Sequence, residues 1–257
     1  MAIALGIDVG GSAIKAAAVD TGTGRLVSAS TKVDTPEPST PAAVIDEIVR
    51  LAAAVGAEAG APDAPVGVDV PSVVIDGVVR TAANIDRGWV DFAARDRLEE
   101  RLGRAVVLVN DADAAGVAEM RFGAGRGRSG TVIVLTLGTG VGSAIFVGGR
   151  LVPNTELGHM EIRGTDAEHR SAAIARIRDR RSWEEWAADL DEHLHAIHRL
   201  FWPSVFILGG GVSAEADRFI PRLTVPCDVV PAAMRNDAGA IGAAMSAVTP
   251  VPEEASQ

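Results

Sequence analysis

Cysteine is nearly missing from these 257 residues: Cys227 stands alone, so neither an internal disulfide nor a cysteine-cluster zinc site is available. Tyrosine is absent and lysine scarce, while 47% of the chain is hydrophobic. Yet no segment approaches the uninterrupted run of ~18 apolar residues that a membrane helix needs. Asp8 and Gly10-Gly11 interrupt the opening stretch, so no signal peptide is expected there. Positive charge is also short. A net charge of −10 argues against general nucleic-acid binding, which needs a basic footprint, though not against one local basic groove.

What the chain has is glycine, 28 residues of it, often at the ends of apolar runs. Residues 3–9 read as a strand that runs into Gly10-Gly11-Ser12, and Ala13 to Val19 reads as a second strand. Thr21-Gly22-Thr23-Gly24 then turns the chain into Arg25-Leu26-Val27. Glycine loops allow close backbone approach and hold phosphate on N–H groups. A P-loop or a dinucleotide fingerprint places a helix directly after its glycines, at G-x-x-x-x-G-K-[ST] or G-x-G-x-x-G spacing. Neither spacing occurs here, so this loop belongs to a hairpin.

The arrangement recurs. From Thr131 to Val152 an apolar strand again meets glycines, with Gly142-Ser143-Ala144-Ile145 repeating Gly11-Ser12-Ala13-Ile14 and Gly149-Arg150-Leu151-Val152 repeating Gly24-Arg25-Leu26-Val27. Such similarity predicts two related lobes whose glycine hairpins clamp a phosphate chain. Between the copies, helical spacing runs from Pro41 to Gly60 behind a Thr40 cap. Short buried strands are expected at 66–70 and 106–109, a helix over 91–102, a hairpin centred on Asp76-Gly77, and a helix from Ala112 to Phe122. Gly123 to Gly130 is a basic, flexible loop. Ser182 and Glu185 form a capping box that opens a helix, and its stripe of Trp183, Trp186, Leu190, Leu194, Ile197 and Phe201 reads as core. His193, His195 and His198 lie on that helix without an H-E-x-x-H pattern and read as solvated or core histidines. A strand at 205–208 meets Gly209-Gly210-Gly211, and a helix over 236–247 precedes a tail expected to fray after Pro250.

Val107-Leu108-Val109-Asn110-Asp111 is a strand ending in an amide and a carboxylate, where ligands of α/β folds gather. Asp111 there either accepts the proton of a hydroxyl attacking phosphorus or caps the next helix, and local sequence favours the cap. The run from Asn154 to Glu161 gathers Glu156, His159 and Glu161, hydrogen-bond partners for a polyol. Asn84, within Thr81 to Asp86, is a further polar candidate or a plain turn residue.

In chain order, Asp8 to Lys15, Asn110-Asp111, Leu137 to Gly142, Glu156 to His159 and Gly209 to Gly211 resemble the ROK sugar kinases. More narrowly, Thr81 to Asp86, Leu151 to Glu161 and Ser182 to Trp186 are similar to the polyphosphate-using glucokinases of actinobacteria, a branch of that family. The resemblance spans roughly residues 3–247. It implies an α/β, actin-like ATPase (ribonuclease H-like), two-lobed sugar kinase fold. The smaller lobe would be 1–112 plus 236–257 and the larger 113–235. It implies Asp111 as the base that takes the proton from the 6-hydroxyl of glucose, giving glucose 6-phosphate. Asn84, Asn110, Glu156, His159 and Glu161 would join Asp111 as sugar ligands. Asp8, Gly10, Gly11, Ser12 and Lys15 would form the first phosphate loop, with Asp8 near Mg2+ directly or through water. Gly138, Thr139, Gly140 and Gly142 would form the second, and Gly209, Gly210 and Gly211 would face adenosine when ATP is bound. Many ROK kinases follow the Gly-His motif with a cysteine-rich zinc loop. Glu161 to Arg170 has no cysteine, which implies no zinc and leaves open what holds His159.

Six arginines between Arg163 and Arg181, set against Asp166, Glu168 and Asp179, join Arg126 and Arg128 as local positive charge in an acidic chain. Such charge suits a long polyanion, with Arg126, Arg128, Arg170, Arg176 and Arg180 as a polyphosphate groove. A solvated, salt-bridged surface is the other reading. The resemblance further implies a cytoplasmic homodimer without nucleic-acid or membrane partners. A strictly ATP-dependent ROK glucokinase and a non-catalytic ROK-type sugar sensor stay open as alternatives. A DNA-binding repressor of the family would need a helix-turn-helix before the first strand, where only two residues stand.

Overall fold

A computed structural model describes residues 2–83 and 85–248. The chain divides into two units, Met1–Ala118 with Asp237–Gln257, and Glu119–Asn236. The expected sugar ligand Asn84 and the tail after Pro250 lie outside the described residues.

In the first unit β1 (Ile3–Val9), β2 (Ala13–Asp20) and β3 (Arg25–Leu26) form an antiparallel meander, and β4 (Thr31–Asp34) also pairs with β2. Helix α1 (Pro41–Glu58) starts where Thr40 caps the Ala43 amide at 3.4 Å, and it buries Val44, Ile48, Leu51 and Val55 at helical spacing. It leads to β5 (Val66–Val70), buried throughout and parallel to β1. Two short strands follow, β6 (Val74–Ile75) and β7 (Val78–Val79), turned by Asp76 and Gly77 at φ 54° and 80°. Helix α2 (Ala94–Leu102) begins three residues later than the sequence suggests. The cause is local: Asp91 has φ 60°, and Phe92 bridges to Val79. Strand β8 (Val106–Asn110) lies parallel to β5 and runs directly into α3 (Asp111–Phe122), giving the order β3-β2-β1-β5-β8.

The second unit repeats that order. Strands β9 (Thr131–Leu137), β10 (Val141–Val147) and β11 (Arg150–Val152) form the meander. After them come the small hairpin β12 (Glu161–Ile162) and β13 (Thr165–Asp166), and helices α4 (Glu168–Ser171), α5 (Ala173–Arg178) and α6 (Trp183–Phe201). Strands β14 (Val205–Gly209) and β15 (Asp228–Pro231) are parallel additions, so the sheet reads β11-β10-β9-β14-β15. The capping box at Ser182 and Glu185 is formed on both sides, at 3.2 and 2.8 Å. Trp186, Leu190, Leu194 and Ile197 are buried as the stripe predicts, but Phe201 is exposed at the helix end. The last helix, α7 (Ala238–Ser246), belongs to the first unit and packs on β1 and β5.

Topology is duplicated, but the identical tetrapeptides are not equivalent. Gly11-Ser12 lie in the turn between β1 and β2, whereas Gly142-Ser143 lie inside β10, opposite Thr136 and Leu135. Gly11 stands two residues after the end of β1, whereas Gly142 stands five residues after the end of β9, so the tetrapeptides occupy different registers. Among the described residues no helix is long and apolar enough to cross a membrane.

Candidate active site

In the first unit the candidate groups sit at the carboxyl ends of β1, β5 and β8, where parallel strands present loops to ligands. The turn Gly10–Ser12 is braced by Thr35, whose hydroxyl donates to the Gly10 carbonyl at 2.6 Å and whose amide donates to the Ser12 carbonyl at 3.1 Å. The amides of Gly11 and Ser12 have no protein acceptor among the described residues, as a phosphate-holding turn requires. Asp8, next to last on β1, lies beside this turn, and Lys15, its register partner on β2, places Nζ 3.4 Å from its carboxylate. Helix α7 reaches Asp8 at Gly239, where a Cβ would come within 2.8 Å of the carboxyl carbon.

At the start of α3 the two candidate roles fall to separate residues. Asn110 is the cap: its carbonyl oxygen accepts the amides of Ala112 at 2.9 Å and Asp113 at 3.1 Å, and its NH2 donates to the Ser72 carbonyl at 3.1 Å. It is buried and largely committed to the fold, which leaves it less to offer a sugar. Asp111, part-exposed, is the first helical residue, and one of its oxygens shares the Ala112 amide at 2.8 Å.

Sequence reasoning passed over Asp69. It is wholly buried on β5, in register with Asp8. Burial pushes its carboxyl well above the usual carboxylate range, and the charges of Asp8 and Asp111 push the same way. The available signal was a lone carboxylate inside the apolar run Val66-Gly67-Val68-Asp69-Val70.

In the second unit the turn Gly138–Gly140 follows β9, and Gly209–Gly211 leave β14 against it, with Gly209 in register with Thr136. Gly210 has φ 83°, and a side chain there would collide with the Leu137 backbone. Gly142 lies beyond the turn, inside β10. The run Glu156–His159 is fixed from below. Ser143 Oγ accepts the Leu157 amide at 3.0 Å and donates to the Thr155 carbonyl at 2.6 Å. His193, buried on α6, hydrogen-bonds the Leu157 carbonyl at 3.0 Å through Nε2 and the Ser171 hydroxyl at 2.9 Å through Nδ1, and burial lowers its pKa. His193 is therefore a core histidine, and His198 is another.

Asp166 answers what holds His159. Asp166 Oδ2 lies 2.8 Å from His159 Nδ1, and this contact chiefly raises the imidazole pKa, helped by the charges of Glu168 and Glu156. Glu156 is itself raised, first by burial. Glu168 accepts the Val141 amide at 2.9 Å, and a Cβ on Gly140 would approach its oxygen to 2.6 Å. His159, Asp166 and Glu168 offer ligand atoms within 4.8 Å of one another. Glu161 is exposed on β12, directly opposite Asp166.

The arginines divide. Arg128 pairs with Asp228 at 2.8 Å, and Arg170 with Asp189 and Glu192. Arg176 lies 4.0 Å over the Trp183 ring, with Arg218 at 5.0 Å on the same indole. Arg126 and Arg180 are exposed and have no ion pair among the described residues.

The ROK family model matches residues 4–173. The polyphosphate glucokinase of Mycobacterium tuberculosis H37Rv is 46% identical over 244 residues, covering 95% of this chain and 90% of that one. The glucokinase of Streptomyces coelicolor is 29% identical, over 98% of this chain and 99% of that one. Among solved structures, the inorganic polyphosphate/ATP-glucomannokinase of Arthrobacter sp. strain KM matches with TM-score 0.92 and 46% identity, over 96% of this chain and 98% of that one. The expected actin-like α/β sugar kinase fold is thus borne out, and the chain belongs to the ROK family.

Proposed function

We propose that this chain transfers a phosphoryl group from polyphosphate, and also from ATP, to the 6-hydroxyl of glucose. The observation that carries the mechanism is the division of labour at the β8–α3 junction. Because Asn110 satisfies the helix amides, the Asp111 carboxylate is not needed as the cap and can accept the proton of the attacking hydroxyl. Glu156, His159 and Glu161 hold the ring hydroxyls, and the geometry adds Glu168 as a candidate beside them. Asn84 and Asn110 complete the expected set of sugar ligands.

The amides of Gly11 and Ser12, without a protein acceptor among the described residues, receive the donor phosphates with Lys15; in the second unit Thr139 and Gly140 do the same, in a turn closed by the Gly138 amide donating to the Gly140 carbonyl at 3.0 Å. Gly209–Gly211 take the adenosine when ATP is used. Mg2+ fits a hard-oxygen site that includes Asp8, and when bound it offsets charge on the transferring phosphoryl group. The 46% identity to proteins described as polyphosphate users supports polyphosphate as donor. The proposal includes a cytoplasmic homodimer, tested by light scattering and by fractionation of cells.

The test is glucose 6-phosphate formation by the purified chain with Mg2+, supplied with either long-chain polyphosphate or ATP as sole donor. Turnover with ATP alone would remove the polyphosphate half of the proposal. No product with either donor would remove both halves.

A further inference from the structure

Asp8 on β1 and Asp69 on β5 are register partners in a parallel pair, so their side chains leave the same face of the sheet. Asp69 is fully buried, and neither of its oxygens accepts from a donor group among the described residues; its polar neighbour is the Asp8 carboxylate, with which it can hydrogen-bond only by sharing a proton. Buried polar groups are nearly always partnered, and an unpaired buried carboxylate is among the costliest to bury. The Ser72 hydroxyl, just beyond the end of the same strand, is buried and has no partner among the described residues.

The charges around Asp69 make matters worse. Asp8 and Asp111 are both close enough to repel it, and the Lys15 amine, 3.4 Å from Asp8, offsets only part of that repulsion. A proton shared with Asp8 would give Asp69 one hydrogen bond and leave its other oxygen unsatisfied. A divalent cation would satisfy both carboxylates and cancel the excess charge together. The Asp8 side chain is 20% exposed, so an ion can reach the pair from solvent.

We propose that Asp69 joins Asp8 as a direct ligand of the divalent cation, making this pair the protein's own cation site in the absence of donor. The oxygens, hard and anionic, suit Mg2+ or Mn2+ rather than a thiophilic metal. The identity of the ion as the donor's Mg2+ rests on the kinase reading above; the site itself does not.

Mn2+ binding to the full chain, without sugar or donor, is the direct test, followed by the free-ion signal in electron paramagnetic resonance. The wild type should bind Mn2+, and both Asp69→Asn and Asp8→Asn should weaken binding at least tenfold while circular dichroism stays unchanged. Wild-type affinity in Asp69→Asn overturns the proposal, since it would mean that a proton rather than a cation satisfies Asp69. Should that variant fail to fold, Asp69→Ser serves: loss of the Mn2+-dependent rise in melting temperature supports the site, and a retained rise overturns it. The glucokinase assay is separate. A wild type that binds Mn2+ through Asp69 but makes no glucose 6-phosphate removes the functional reading alone. An active wild type that binds no Mn2+ until donor is added removes this inference alone.

Discussion

Val141 donates its backbone amide to the Glu168 carboxylate at 2.9 Å, across 27 residues of sequence. The bond ties the glycine turn after β9 to the segment that carries His159, so one side chain braces both the turn proposed to hold phosphate and the loop proposed to hold sugar. A charge-assisted bond of this kind is worth about 1.5–3 kcal/mol, on the order of 10- to 100-fold in a rate or binding constant. Glu168→Ala should therefore lower kcat/KM by at least about tenfold for glucose and for the phosphoryl donor alike. Glu168→Gln keeps an acceptor for the Val141 amide and should recover part of the loss. A glucose-only effect, equal in the two variants, would show that Glu168 acts on sugar and not as a brace.

The β8–α3 junction yields a paired prediction. Asp111→Asn should reduce kcat by about 10²-fold or more, as loss of a general base does, with little change in melting temperature. Asn110→Ala should do the reverse. It removes the cap of α3 and costs about 0.5–2 kcal/mol in urea unfolding. If instead Asp111→Asn unfolds the protein and Asn110→Ala leaves stability intact, the assignment of cap and base is inverted.

His159 supplies the pH dependence. Its pKa is raised, chiefly by the hydrogen bond to Asp166, so the folded state holds the proton more tightly than the unfolded chain does. The resulting contribution to stability is complete below about pH 6.5, the ordinary histidine value, and is lost as pH rises through the folded pKa. Titration of the imidazole by NMR should place His159 above the ordinary value, and Asp166→Asn should bring it down. An unmoved titration in that variant would mean that Asp166 does not govern this proton.

How much of this could be read from the chain depends on the scale. The duplicated meander was legible, because glycines at the ends of apolar runs mark where strands turn. The register was not. Gly11-Ser12-Ala13-Ile14 and Gly142-Ser143-Ala144-Ile145 look like copies, yet the first begins within its turn and the second only after its turn has closed, inside β10. Strands β12, β13 and β15 span two to four residues, too few for alternation to show. Asp166 and Glu168 were visible only as counter-charges to neighbouring arginines; their link to His159 and Val141 is made by a hairpin and a short helix. Asp69 was hidden by its strand, since nothing local says that a carboxylate in an apolar run will meet Asp8 across a parallel ladder.

The arginines give the last prediction. Arg170 is held by Asp189 and Glu192, and Arg181 joins it on Asp189, so this pair fastens α4 and the end of α5 to α6. Removing Arg170 leaves Asp189, only 12% exposed, with Arg181 as its one cation and takes a partner from Glu192, so Arg170→Ala should lower the melting temperature. Arg126 and Arg180 have no ion pair among the described residues, and they are the arginines proposed to meet a polyanion. The double variant Arg126→Ala with Arg180→Ala should raise KM for long-chain polyphosphate about tenfold, leave KM for ATP within about twofold, and flatten the salt dependence of the polyphosphate reaction. An equal loss with both donors would place these arginines at a shared phosphate site. No loss with either would make the whole basic stretch a solvated surface, and the discrimination of polyphosphate from ATP would then lie in the glycine turns themselves.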